Sequence, residues 1–318
     1  LNLYLAGWRS WAFWKTDFSP RGNLLVESRS RKIKGENYTE ERYLISNVPV
    51  RIKSASRTTL KRIHYLFEHF NQNPEPSEPW IDYRIDFKPS NRKPLILWKE
   101  VENRPLFRTD DESEMAAFLE KSIAYSVLAV LNDHLLVHAG AVQYRGEGMI
   151  LPARSGRGKS LMVLGLVVAG HKLLSDDTAL IKAEQRTVYP HATSLCFKED
   201  SKPLLRNYKF RPARRRSFVY KGKVIYYLNP LDISRDCIGA PCNVKYIIFP
   251  DYEPGCKTTL EEISRGETTF RLVQNSFNFG ARGKDSLDHL VDLVEKACCY
   301  ELRLSDLKEG VRAIQDLN

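Results

Sequence analysis

Lys159 and Ser160 end a segment, Ala153-Arg154-Ser155-Gly156-Arg157-Gly158-Lys159-Ser160, whose residue types and spacing suit the wrapping of a phosphate chain. It follows the pattern G-x-x-x-x-G-K-[ST], with Ala153 where the first glycine is expected. Gly156 and Gly158 let successive backbone N–H groups point into one concavity, and a helix starting near Lys159 adds its positive end to a bound anion. Lys159 would neutralise the transferable phosphate. The Ser160 hydroxyl is a magnesium ligand in such a loop, because magnesium takes oxygen donors and is shared with nucleotide phosphates. Ala153 fits the first turn as long as its φ stays negative. Residues 153–160 are therefore the expected nucleotide-binding set, with ATP and Mg2+ as the cofactors.

Sixteen residues beyond Ser160 lies a second group with chemistry, Asp176-Asp177. Phosphoryl transfer needs an oriented hydroxyl, a carboxylate to accept its proton, and a metal to neutralise phosphate oxygens. We assign Asp176 as general base and Asp177 as magnesium ligand. Neighbours in an extended strand point opposite ways, so the sequence leaves this split open. A carboxylate pair that only caps the following turn is the competing reading.

The flanking segments are those that could position these groups. Met149-Ile150-Leu151 reads as an apolar strand feeding the loop, Leu161 to Ala169 as an apolar helix, and Gly170 as its cap. Lys172-Leu173-Leu174 reads as a buried parallel strand ending at the carboxylates, where an open α/β sheet places its ligands.

These residues resemble the HPr serine kinase/phosphorylase family, and more closely its divergent HPr-kinase-related members. In that family a histidine followed by a small residue opens a strand, the phosphate loop follows, and a strand ending in two aspartates comes after one helix. Here His138 lies fifteen positions before Ala153, and Asp176 seventeen after Lys159. The F-P-x-Y-x-P-G step of Phe249–Gly255 (here F-P-D-Y-E-P-G) and the N-S-F-N step of Asn275–Asn278 are similar too. The resemblance covers about residues 120–315 and implies ATP-dependent phosphoryl transfer to a hydroxyl. It implies that His138 lines the cleft near the reacting groups; a histidine satisfied within the core is the competing reading. Catalytic residues on this reading are Asp176, His138 and Lys159, and the metal ligands Ser160 and Asp177. Glu199, in Phe197-Lys198-Glu199-Asp200, is either a further magnesium ligand or part of a solvated strand end.

The family's glycine-rich segment E-I-R-G-L-G-I-I has no counterpart here. The family ties that segment to metal binding and to the reverse reaction, so neither HPr as acceptor nor phosphorylase activity carries over. The acceptor stays open between a serine or threonine of a peptide or protein and a small hydroxyl metabolite. An ATPase or nucleotide-dependent binding module without an acceptor is the alternative.

The chain of 318 residues is 42% apolar and 28% charged, the composition of a globular protein, and it is long enough for two domains. We expect an α/β phosphate-loop kinase core over residues 112–318 and a smaller, mostly β N-terminal domain over 1–111. In the latter, strand-like pieces follow an aromatic run (Trp8, Trp11, Phe13, Trp14) read as core, and Arg57 to Phe70 has the periodicity of an amphipathic helix. Residues 71–79 read as a proline-rich connection. Glu112 to Leu131 reads as a long helix, with Met115, Leu119, Ile123 and Val127 on one stripe.

Six cysteines show no metal-ligand spacing, and the net charge of +10 favours anionic partners. The basic run Arg211–Arg216 is read as a solvated loop, and nucleic acid is set aside as a partner. No apolar run approaches the roughly 18 residues of a membrane span, and no signal-peptide pattern opens the chain. A cytoplasmic location without membrane association is therefore expected, with a homo-oligomer allowed.

Overall fold

The computed structural model describes residues 38–70, 81–87, 94–100, 105–154, 156–207, 217–281 and 285–317. The aromatic run at Trp8–Trp14, the proline-rich 71–79 connection, Ser155 and the basic run at 211–216 lie outside these residues.

Strands β1 (Thr39–Ile45) and β2 (Val48–Ser54) form a hairpin. Its two turn residues, Ser46 and Asn47, both have positive φ (48° and 65°), the backbone of the tight turns that match strand twist. Every second residue of β2 is buried, so one face of the hairpin is apolar. Helix α1 (Arg57–Phe67), capped by the Ser56 hydroxyl accepting from the Thr59 N–H, covers that face with Leu60, Ile63 and Leu66. Strands β3 (Ile81–Phe87), β4 (Leu95–Lys99) and β5 (Pro105–Thr109) complete a sheet of order β1-β2-β3-β4-β5.

Helix α2 (Glu112–Val130) begins at Asp111, whose carboxylate accepts from the N–H groups of Ser113 and Glu114. Its stripe of Met115, Leu119, Ile123 and Val127 is buried in one apolar cluster with Tyr43, Ile63, Ile85 and Leu97 of the N-terminal sheet and helix. The same cluster takes in Phe218, Ile225 and Tyr227 from the C-terminal half.

The larger sheet is built from β6 (Leu135–Val137), β7 (Ala139–Tyr144), β8 (Glu147–Pro152), β9 (Lys172–Ser175), β10 (Ala179–Lys182), β11 (Thr187–Tyr189), β15 (Cys242–Tyr252), β16 (Thr259–Glu262) and β17 (Cys298–Leu304). Its main path is β6-β10-β11-β15-β8-β7-β9, with β17 on β15 and β16 on β17. Strands β8, β15 and β17 are mutually parallel. The apolar run Met149-Ile150-Leu151 serves two layers because neighbours on a strand face opposite ways. Met149 and Leu151 join the cluster of α3 (Lys159–Val168) and α7 (Leu307–Gln315), whereas Ile150 joins that of α5 (Arg265–Asn275) and α6 (Asp285–Lys296). This is the α/β architecture expected, with a smaller, mostly β unit ahead of it.

A third sheet, of order β12-β14-β13, is made by β12 (Leu195–Lys198), β13 (Ser217–Tyr220) and β14 (Lys223–Leu228), with the short helix α4 (Lys202–Asn207) beside it. One local expectation needs correcting. The strand leading to the carboxylates, β9, pairs along its length with the antiparallel β7, because β7 turns back between β8 and β9. No helix among the described residues is long and apolar enough to cross a membrane.

Candidate functional site

The phosphate loop leaves β8 at Pro152 and enters α3 at Lys159. Gly156 and Gly158 have φ of 88° and 85°, the left-handed region in which a side chain is strained. Ala153 is buried and keeps a negative φ. The strand beneath the loop carries its own constraint. A Cβ at Gly140 of β7 would stand 2.4 Å from Val163 Cγ2 and 3.4 Å from Lys159 Cγ, so the strand approaches the helix only because that residue has no side chain.

Three of the expected residues meet at one carboxylate. Lys159, only 7% exposed, places Nζ 2.8 Å from Asp177 Oδ1 and 3.4 Å from the Asp177 carbonyl oxygen. His138 Nε2 lies 3.2 Å from the same Oδ1. Asp177 lines the same cleft as the loop, and its side chain is 59% exposed. Burial would raise its pKa; the Lys159 ammonium first, then His138, outweighs this and holds the carboxyl well below the usual carboxylate range.

Asp176 is different. It is 3% exposed, Oδ2 accepts from the Cys196 N–H at 3.1 Å, and the nearby Ser160 hydroxyl helps to stabilise the charged carboxylate. Oδ1 is buried with no protein partner. Burial pushes this carboxyl up, only partly offset by Lys159. Neither aspartate is needed to close the turn after β9. Ser175 does so, its hydroxyl donating to the Thr178 carbonyl at 2.7 Å and accepting from the Thr178 N–H at 3.1 Å.

A magnesium ion fits this donor set. An orphaned buried carboxylate oxygen beside a serine hydroxyl offers two hard oxygen ligands, and magnesium characteristically completes its shell with waters and phosphate oxygens. Among the described residues no three His, Cys, Asp or Glu side chains gather as a metal cage.

The loop, both aspartates and His138 line one cleft of about 710 Å³. Arg154, Gly156, Gly158 and Ser160 are in its wall; Ala153 is buried and not part of that wall, and Arg157 pairs with Asp251 at 2.9 Å. Glu199 is exposed and stands apart from the cleft-lining residues, although its neighbours Lys198 and Asp200 belong to them.

The N-S-F-N step, which the sequence offered only as part of the family resemblance, straps the segment that carries His138: the Asn275 carbonyl accepts from the His138 N–H at 2.7 Å, the Leu136 carbonyl accepts from the Phe277 N–H at 2.8 Å, and Asn278 bonds both Leu136 N–H and the His134 carbonyl. The Phe277 and His138 rings are 5.8 Å apart. Sequence reasoning passed over two other residues, Lys121 and His191. Lys121, on α2, also lines the cleft, and its only sequence signal is a lysine flanking the buried stripe of a long helix. Burial would lower its pKa, but the neighbouring Glu120 carboxylate holds it well above the ordinary value. His191 is buried and neutralised by that burial, its pKa lowered to about 4, and Ser46 of the N-terminal hairpin reaches its Nδ1 at 2.8 Å.

No family model matches the chain. It is similar to the HPr kinase/phosphorylase of Lactobacillus acidophilus, 32% identical over 97 residues, which is 30% of this chain and 29% of that protein. It is likewise similar to the HPr kinase/phosphorylase of Lachnoclostridium phytofermentans, 35% identical over 88 residues, 27% of this chain and 28% of the relative. The matched segments thus span less than a third of either relative. A structure of the Hpr(Ser) kinase/phosphatase from Coxiella burnetii covers 57% of this chain and 94% of its own at 12% identity. Its TM-score of 0.28 is too low for that superposition to carry an argument.

Proposed function

We propose, starting from the HPr-kinase-like family that the two partial matches support, that this chain is an ATP-dependent kinase that passes the γ-phosphate to a hydroxyl. The observation that carries the reading is the convergence of Lys159 and His138 on one exposed carboxylate at the mouth of the glycine loop. A surface turn has no use for a buried lysine held by an open aspartate. A phosphoryl-transfer site does, because the lysine must be dry and poised, and the carboxylate must be reachable by the acceptor.

Burial supports a division of labour opposite to the one expected from sequence. Asp176 is too enclosed to meet an acceptor hydroxyl, and with Ser160 it is suited to hold magnesium. Magnesium, when bound, would neutralise phosphate oxygens and orient the nucleotide. Asp177 is open and suited to take the acceptor's proton, with His138 fixing its orientation. Lys159 then has two partners in turn. It pairs with Asp177 here, and phosphates would compete for it; a carboxylate that gives up the ammonium which depresses its pKa would be a better base as the substrate arrives.

The acceptor belongs to the class of peptide, protein or small-molecule alcohols. Incubation with γ-labelled ATP, candidate Ser/Thr peptides and a pool of hydroxyl metabolites tests the reading. Label is expected in an acid-stable ester on one acceptor and lost with Asp177→Asn. Label appearing only in inorganic phosphate with every acceptor would make the chain an ATPase module instead.

A further inference from the structure

We propose that Lys121, brought to the cleft by α2 from outside the glycine loop, is a second cation for the terminal phosphate of the bound nucleotide. This rests on the kinase reading of the cleft. Lys121 shares the wall of the large cleft with Lys159, Asp176 and Asp177. With Asp177 it also borders a small side pocket of about 40 Å³, closed by Thr178, His191 and Thr193. Lys121 and Asp177 thus line the same two hollows, and the Lys121 charge is among those that hold the Asp177 carboxyl low, while Lys159 holds Oδ1 at 2.8 Å. A terminal phosphate drawn to Lys159 therefore arrives in a cleft whose wall also carries Lys121.

The chemistry has a use for the second charge. During transfer, negative charge spreads over the three equatorial oxygens of the moving phosphoryl group, and fixed cations around it lower the barrier. Lys121 has three N–H donors, of which the Glu120 carboxylate, 3.3 Å away, uses one direction. Glu120 itself is buried and accepts from the Tyr227 hydroxyl at 2.7 Å, so this pair is anchored in the core shared by the N-terminal sheet and the β12–β14 sheet. The alternative is that Lys121 is only a counter-ion for Glu120.

The two differ in what ADP and a terminal-phosphate analogue report. A residue on the terminal phosphate adds affinity for AMP-PNP but none for ADP. Calorimetry with magnesium should show that the double variant Glu120→Gln/Lys121→Met, which removes both buried charges, binds ADP within about twofold of the unaltered chain. It should bind AMP-PNP about tenfold or more weakly, the loss of one charge-assisted hydrogen bond. Lys121→Gln, which keeps a donor for Glu120, should show the same selective loss should the double variant fail to fold, and Lys121→Arg should restore the preference. An unchanged AMP-PNP to ADP ratio in either folded variant overturns the proposal and leaves the kinase reading standing. Failure of the unaltered chain to bind either nucleotide, with Lys159→Ala no different, overturns both.

Discussion

Replacing Asp177 by asparagine should change nucleotide affinity and transfer rate in opposite directions. The Lys159 ammonium is 2.8 Å from Asp177 Oδ1, an ion pair with one buried and one exposed partner. Solvent at the carboxylate limits such a pair to about 0.2–1 kcal/mol. Phosphates must break it to recruit Lys159, so a neutral amide at this position lowers that cost. ADP affinity without magnesium should therefore rise roughly 1.5- to fivefold. The proton acceptor is lost at the same time, and phosphoryl transfer should fall by about 10²–10⁴-fold. Calorimetry with ADP, with and without magnesium, and single-turnover transfer from labelled ATP give the two numbers separately. Weaker ADP–magnesium binding that recovers with added magnesium would make Asp177 a metal ligand and refute this reasoning. Full transfer at saturating ATP would remove it as the base.

Asp176→Asn should raise the magnesium concentration for half-maximal activity at least about tenfold, with nucleotide binding in EDTA nearly unchanged; a magnesium titration of ATP turnover checks this. His138→Ala should slow transfer about 100-fold by releasing the Asp177 carboxylate, with a thermal midpoint close to that of the unaltered chain; the reverse pattern would make the ring structural. Gly140→Ala should destabilise the fold by about 1–3 kcal/mol in urea unfolding, because β7 is bonded on both sides and the new Cβ meets Val163 at 2.4 Å. His191, neutral in the fold with a pKa of about 4, is protonated more readily when unfolded, where its pKa is near 6.5. Its contribution is thus full above pH 6.5 and falls as the pH drops through 6.5 toward 4. Between pH 7.5 and pH 5 the unaltered chain should lose about 1–2 kcal/mol more than His191→Asn, as compared by urea midpoints at the two pH values.

The phosphate loop and the Asp-Asp pair were readable because their chemistry lies in consecutive residues and their elements in adjacent periodic runs. Helix α3 begins at Lys159, as the glycine spacing predicts, and helix α2 follows its apolar stripe almost to the expected end. What could not be read depended on distant partners. His138 owes its placement to Asn275 and Phe277, far along the chain, and no local pattern announces that strap. The difference between the two aspartates was hidden for the same reason. It is set by the Cys196 N–H and Ser160 on one side and by His138 and Lys159 on the other. Lys121 was invisible because a single lysine beside an apolar stripe looks like any solvated helix flank, and only the packing of α2 turns it toward the cleft. The antiparallel neighbour of β9 follows from the reversal of β7, which strand-by-strand reading does not reveal.

The apolar cluster around α2 has a consequence for how such a protein can be inherited. Met115, Leu119, Ile123 and Val127 are covered from one side by the N-terminal sheet, while Phe218, Ile225 and Tyr227 close the same core from the other half. A recombination event that joined a foreign segment ahead of residue 112 would leave that stripe bare, an invitation to self-association. The phosphate loop can therefore travel between genes only with its present N-terminal sheet or with one that has evolved an equivalent surface. In a core packed this closely, a volume change at Ile63 or Leu97 is felt across the cluster, including by the helix that carries Lys121.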